Sequence, residues 1–299
     1  MEHHHDHHHE ISSLNKAFII GISLNLLFVF AEFGAGFWFN SLGLLSDAGH
    51  NLGDVASLVL AMLAFRLAKV HPTSKFTYGY KKSTVLVSLL NAIILLVAVG
   101  IIIGESIDKL LHPQPIEGEA VAWVAGIGVV INAFTAWLFL KDKDKDLNVK
   151  GAYLHMAADA LVSIGVVFSG IIIMYTGWYI IDPIIGIVIA VVIVVSTWGL
   201  LRDSIRLSLD GVPIGTDIEK IEAEIARVSG VKNVHHLHIW ALSTTETALT
   251  AHIRIEDTSQ MEKIKQEIKN RLLNVGIQHA TLEFETSYVV CEQLHCEND

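Results

Sequence analysis

Leu44-Leu45-Ser46-Asp47-Ala48-Gly49-His50-Asn51-Leu52-Gly53-Asp54 opens a stretch that stays largely apolar as far as Leu67. Its length decides the fold class, because a hydrocarbon core about 30 Å thick takes about 20 apolar residues in a helix. Its ionisable side chains decide where to look for chemistry. Five further stretches have comparable length: Phe18 to Phe39, Val85 to Gly104, Ala120 to Leu140, Gly151 to Tyr175 and Ile180 to Leu201. Hydrophobic residues make up 52% of the 299, which exceeds the share usual in soluble domains. The expected architecture is an α-helical membrane protein with six transmembrane helices.

Positive charge falls in alternate loops. Arg66, Lys69, Lys75, Lys81 and Lys82 follow the second span, Lys141, Lys143, Lys145 and Lys150 the fourth, and Arg202 and Arg206 the sixth, whereas the intervening loops hold only Lys109. The positive-inside rule then puts both termini in the cytoplasm, which requires an even number of spans. The formal net charge of −10 excludes nucleic acid as the expected partner, since phosphate binding needs clustered Lys and Arg. No Gly-x-x-x-x-Gly-Lys-Ser/Thr loop occurs, so no nucleotide is expected either.

Beyond Asp210 the composition becomes that of a soluble domain. A helix is expected from Thr216 or Asp217, with Ile218, Ile221, Ile225 and Val228 at helical spacing. Strands follow at Val231 to Leu242 and Thr247 to Ile255, then an amphipathic helix at Ser259 to Asn274 and a last strand at Gln278 to Glu285. This order predicts a small α+β domain of ferredoxin-like type with a short, hidden first strand. The expected divisions are a disordered His-rich segment at 1–14, six membrane helices at 15–210, and a cytoplasmic metal-binding and dimerisation domain at 211–299 with a flexible end containing cysteine.

The second span carries Asp47, His50 and Asp54 on one helical face, since residues three and four apart are neighbours. The fifth repeats the idea with His155 and Asp159. Charge at membrane depth costs at least about 2.5 kcal/mol per Asp on insertion scales, so function is the default explanation. The bland alternative is that each His hydrogen-bonds its own Asp. Two matching pairs together supply two nitrogens and two oxygens, the number and type that tetrahedral zinc accepts, while Mg²⁺ and Ca²⁺ want more oxygen. Small residues on both helices, Ala48, Gly49, Gly53 and Ala56 against Ala157, Ala158 and Ala160, are expected to let them approach.

Three motifs in order, Ser46-Asp47-Ala48-x-His50-x-x-x-Asp54, His155-x-x-x-Asp159 and Val234-His235-x-Leu237-His238-Ile239-Trp240, resemble those of the cation diffusion facilitator family of proton-coupled zinc transporters. The likeness covers nearly the whole chain. It implies a homodimer whose tail domains touch, a transport site of His50, Asp54, His155 and Asp159, and exchange of Zn²⁺ for protons. Asp47 belongs to the motif too, but four ligands already fill a zinc shell, so it is read as a supporting group or proton acceptor. His235, His252, His279 and Glu285 match tail positions that bind metal in relatives, which makes zinc a regulatory ligand as well as a substrate. The family's additional site between the second and third spans is not matched, because that loop offers only His71.

Other residues have weaker claims. Cys291 and Cys296, with His295 between them, offer soft ligands at a spacing looser than Cys-x-x-Cys. His236 and His238 are read as exposed or structural. Glu32 and Glu105 fit either an ion path or a buried structural carboxyl, and Asn25 and Asn132 fit helix packing. The run His3-His4-His5-Asp6-His7-His8-His9 reads as a weak metal-capturing segment. The compact chain reads as a multi-pass protein of a bacterial cytoplasmic membrane, surrounded by lipid. Two other functions use the same residues: a membrane metal sensor or receptor, and an intramembrane metalloenzyme. The second lacks an open metal position and a His-Glu-x-x-His base.

Overall fold

A computed structural model describes residues 6–38, 42–112, 119–178 and 180–286. Six long helices come first: α1 (Asp6–Trp38), α2 (Leu42–Ala68), α3 (Ser83–Leu111), α4 (Glu119–Leu140), α5 (Leu147–Thr176) and α6 (Ile181–Ser208). Among the described residues, four contain apolar windows long enough to span a membrane, in α1, α2, α3 and α6, and α4 contributes the shorter Gly126–Leu140. The bundle wears its apolar residues outside. Leu27, Val130, Trp137 and Val195 are each more than 60% exposed, while Asn25, Glu32, Asn132 and His155 are buried. In water that distribution would be unstable, and in lipid it is the stable one.

α1 begins at Asp6, so the segment expected to be disordered to residue 14 is helical from residue 6. No Gly or Pro interrupts residues 6–17, and a helix already fixed by its apolar half extends at one hydrogen bond per residue. The close helix approaches also differ from expectation. An added Cβ at Gly49 or Gly53 would meet nothing within 4 Å, whereas at Gly21 it would come within 2.9 Å of Thr135 and at Gly165 it would collide with Ile189. Asn25 joins the first of these contacts, donating to Gly21 O at 2.9 Å and Thr135 Oγ1 at 3.2 Å across α1 and α4.

The chain packs as two compact units, one of residues 1–71 and 83–204, the other of residues 72–82 and 205–299. Packing divides the chain between 204 and 205, and the loop between α2 and α3 joins the second unit. Lys82 in that loop donates to Asp210 Oδ1 at 2.6 Å and to Ala241 O at 3.0 Å, and Lys81 pairs with Glu246.

The second unit contains α7 (Ile218–Ala226), β1 (Val231–Ala241), β2 (Thr247–Ile255), α8 (Met261–Asn274) and β3 (His279–Thr286). Asp217 caps α7 by accepting from Lys220 N at 3.0 Å. Ile221, Ile225, Ile264, Ile268 and Leu272 pack on Val234, Ile239, Leu249, Ile253 and Ile255, so both helices cover one sheet face. β1 and β2 are antiparallel, β2 and β3 parallel. In a split β-α-β unit another strand separates the parallel pair. Here eight residue pairs from Ala248↔His279 to Ile255↔Thr286 join β2 directly to β3, so the expected first strand has no place between them.

Gly230 turns the chain from α7 into β1 at φ +96°, and an added Cβ would lie 2.8 Å from Ile264 Cδ1. Gly230→Ala is expected to destabilise this domain by about 1–2 kcal/mol through the left-handed backbone alone. A lower denaturant midpoint for loss of the domain's sheet signal checks it.

Candidate metal sites

α2 and α5 bring the two sequence motifs together inside the helical unit. His155 Nε2 lies 2.6 Å from Asp54 Oδ1 and 3.8 Å from Asp159 Oδ2. The imidazole therefore makes its shorter contact with the carboxylate of the other helix, contrary to the reading in which each His serves its own Asp. One donor atom from each of Asp54, His155 and Asp159 lies within 4.8 Å of the others, and Asp54 and His155 are almost fully buried. His50 sits one turn before Asp54 in α2. The side chains of Asp47 and His50 are outside the described residues.

A cavity of about 70 Å³ opens beside the cluster, lined by Asn51, Asn132, His155, Asp159, Phe28 and Leu95 among others. It is polar where His155 and Asp159 stand and roomy enough for an ion with attached water. Glu32 is buried next to it and accepts a hydrogen bond from Asn51 Nδ2 at 2.7 Å, which ties α1 to the residue after His50. Sequence offered no partner for Glu32; the contact crosses two helices. Glu105 does not line this cavity but an adjoining groove between α3, α5 and α6, with Lys109.

A second group forms on the tail sheet, on the face away from its helices. His252 Nδ1 is 2.8 Å from Glu285 Oε1, and His235 Nε2 is 3.3 Å from Glu285 Oε2. His235 and His252 are directly opposite in the β1–β2 ladder. The three side chains are nearly buried, and His235 Nε2 and Glu285 Oε2 have no hydrogen-bond partner although they are adjacent. Donor atoms converging without hydrogen bonds of their own suit a cation between them.

Residues 18–207 match the family model of the cation efflux transmembrane domain, and residues 213–286 match that of the cation efflux protein cytoplasmic domain. The chain belongs to the cation efflux family. Relatives of this cation efflux protein align over almost its full length. The cadmium, cobalt and zinc/H(+)-K(+) antiporter of Bacillus velezensis is 34% identical over 288 residues, 95% of this chain and 92% of that protein. The zinc transporter ZitB of Escherichia coli is 33% identical over 300 residues, 98% of this chain and 95% of that protein. The metal cation efflux system protein CzcD of Cupriavidus metallidurans is 36% identical over 293 residues, 97% and 91% of the two. As a cation efflux protein the chain is an integral membrane transporter and not an enzyme.

Of the tail residues singled out in the sequence, His279 stands apart from the other three. It pairs with Ala248 while His252 pairs with Glu283, a separation of about 13 Å along the strand at roughly 3.3 Å per residue. Its Nε2 lies 3.4 Å from Tyr78 Oη, and the two rings meet edge to face. The tail group is thus three residues, not four. Cys291, His295 and Cys296 lie outside the described residues.

Proposed function

We propose that this cation efflux protein exports Zn²⁺ from the cytoplasm in exchange for protons, through a site of His50, Asp54, His155 and Asp159. The observation that carries the reading is the buried convergence of Asp54, His155 and Asp159 between α2 and α5. Two carboxylates offset the charge of a divalent ion in a low-dielectric interior, and imidazole tilts the choice toward zinc and away from Mg²⁺ or Ca²⁺. Names of the relatives include zinc, cadmium and cobalt, and one is an H(+)-K(+) antiporter, which agrees with both cargo and driving ion. The alternating charge of the loops supports cytoplasmic termini in a bacterial cytoplasmic membrane. Asp47 is assigned a proton-accepting or supporting role.

The test is zinc flux into sealed proteoliposomes, run beside cadmium and cobalt. Zinc accumulation against its gradient under an imposed proton gradient is the expected result. Binding without flux would make the chain a membrane metal receptor.

The tail is assigned a regulatory zinc held by His235, His252 and Glu285 in a homodimer. The side chains present fit that ion: imidazole nitrogens of His252 and His235 lie 2.8 and 3.3 Å from the one carboxylate of Glu285, and two of these atoms lack hydrogen bonds. Arg254 lies 3.7 Å from Glu285 and balances its charge when no metal is bound. His235→Ala is expected to remove about one zinc per chain from the purified full-length protein. Metal content after equilibrium dialysis measures it, and an unchanged content would leave this domain a dimerisation module only.

A further inference from the structure

We propose that His236 and His238 form a second divalent-metal site on the tail sheet, exposed to solvent and abutting the inner group through His252. The proposal rests on the reading of His235, His252 and Glu285 as metal ligands for its neighbour, but not for its own residues.

Regular alternation along β1 would send Val234, His236 and His238 to one face. The core instead takes Val234, Leu237 and Ile239. Between His235, opposite His252, and His238, opposite Thr250, three steps of β1 are matched by two of β2. The extra residue is a bulge, and it leaves His235, His236 and His238 all on the face away from the helices. His236 adopts φ +51° here, a left-handed conformation in which its Cβ crowds the following carbonyl. Strain of that kind collects at functional sites, and bulges serve to re-aim side chains.

The outcome is a row of four imidazoles. Ring centroids are 4.5 Å apart for His238 and His236, 4.9 Å for His236 and His252, and 5.4 Å for His252 and His235. The row runs from exposed His238, through half-buried His236, to buried His252. His252 turns Nδ1 to Glu285 and Nε2 to Glu283 Oε2, at 3.4 Å. Glu283 is 64% exposed and lies on the same sheet face, one strand beyond His252. Paired imidazoles select zinc, cobalt, nickel or copper over the hard cations. Exposure and fewer fixed ligands make this site weaker and faster to exchange than the inner one, as suits a place where cytoplasmic metal first binds.

The experiment compares zinc content of the full-length protein, dialysed at a series of buffered free zinc concentrations, for three chains: unsubstituted, His236→Asn with His238→Thr, and His235→Ala. Asn tolerates the left-handed backbone, so the bulge survives. Contributions from the transport site and the N-terminal histidines are common to all three and cancel. Expected is a loss of about one zinc in the double variant, at higher free zinc than the one lost in His235→Ala. His236→Asn alone, which keeps His238 in place, should lower the outer site's affinity without touching the inner one. Equal zinc content in the double variant and the unsubstituted chain at every concentration overturns the proposal. Loss in the double variant with none in His235→Ala upholds it while removing the inner site.

Discussion

Asp54→Ala is expected to abolish zinc flux, lowering it by at least about 100-fold. Changing a group that merely supports a metal ligand already costs roughly 10–100-fold in affinity, and Asp54 is placed as a ligand. Asp54 is 3% exposed and its carboxylate stands 2.6 Å from His155 Nε2, so water entering from the adjoining cavity would not replace its charge. Its loss takes one of the two negative charges that offset the ion and leaves His155 without its nearest partner. Asp54→Asn retains the shape and the hydrogen bond but not the charge, and should be as inactive as Asp54→Ala. Asp159→Ala should behave likewise, with a somewhat smaller effect on the unloaded geometry, because Asp159 lies 3.8 Å from the imidazole. Initial rates in proteoliposomes reconstituted at equal protein density measure all three. Full flux in either alanine variant would move the transport site elsewhere.

The second large effect is on pH. Zinc binds the neutral imidazole, so a proton on His50 or His155 must leave before the metal can be held. Below the pKa of such an imidazole, each unit fall in pH weakens zinc binding about tenfold for every proton displaced. The sign is therefore fixed: acid on the side of release discharges the metal, and a higher pH on the side of loading favours capture. In vesicles with an acidic lumen, zinc entry should accelerate and lumenal pH should rise as protons leave. Collapsing the gradient with an ionophore should return net flux to the passive rate. Flux indifferent to pH on both sides would describe a uniport or channel and remove the antiport.

The three sequence motifs were legible because each is local. His155 and Asp159 share a face by helical spacing alone, and the apolar stretches fix six long helices by length. The tail elements lie within two or three residues of their expected bounds, since β2 and α8 follow strict two- and 3.6-residue periods whose apolar sides fill one core. Alternation with Leu249, Ala251, Ile253 and Ile255 by itself puts His252 on the sheet face away from the helices. What it did not give is burial there, which comes from His235 and Glu285, whose contacts close over the ring.

Meetings between distant residues were decided only by the tertiary structure. Asp54 reaches His155 across 101 positions, and Glu32 reaches Asn51 from another helix. Loop 72–82 was an uncommitted basic segment in the sequence, and its lysines find Asp210 and Glu246 only once the second unit has folded. His279 looks like one more ligand in a list of histidines, yet the register of β3 places it four pairs from His252. The bulge at His236 is the clearest case. Alternation is a property of a strand by itself, but where an extra residue is absorbed depends on which side chains the core of α7, α8 and β2 accepts. Local periodicity therefore determined the helices, the strands and the pairs of candidate ligands, and long-range packing determined which of those side chains meet.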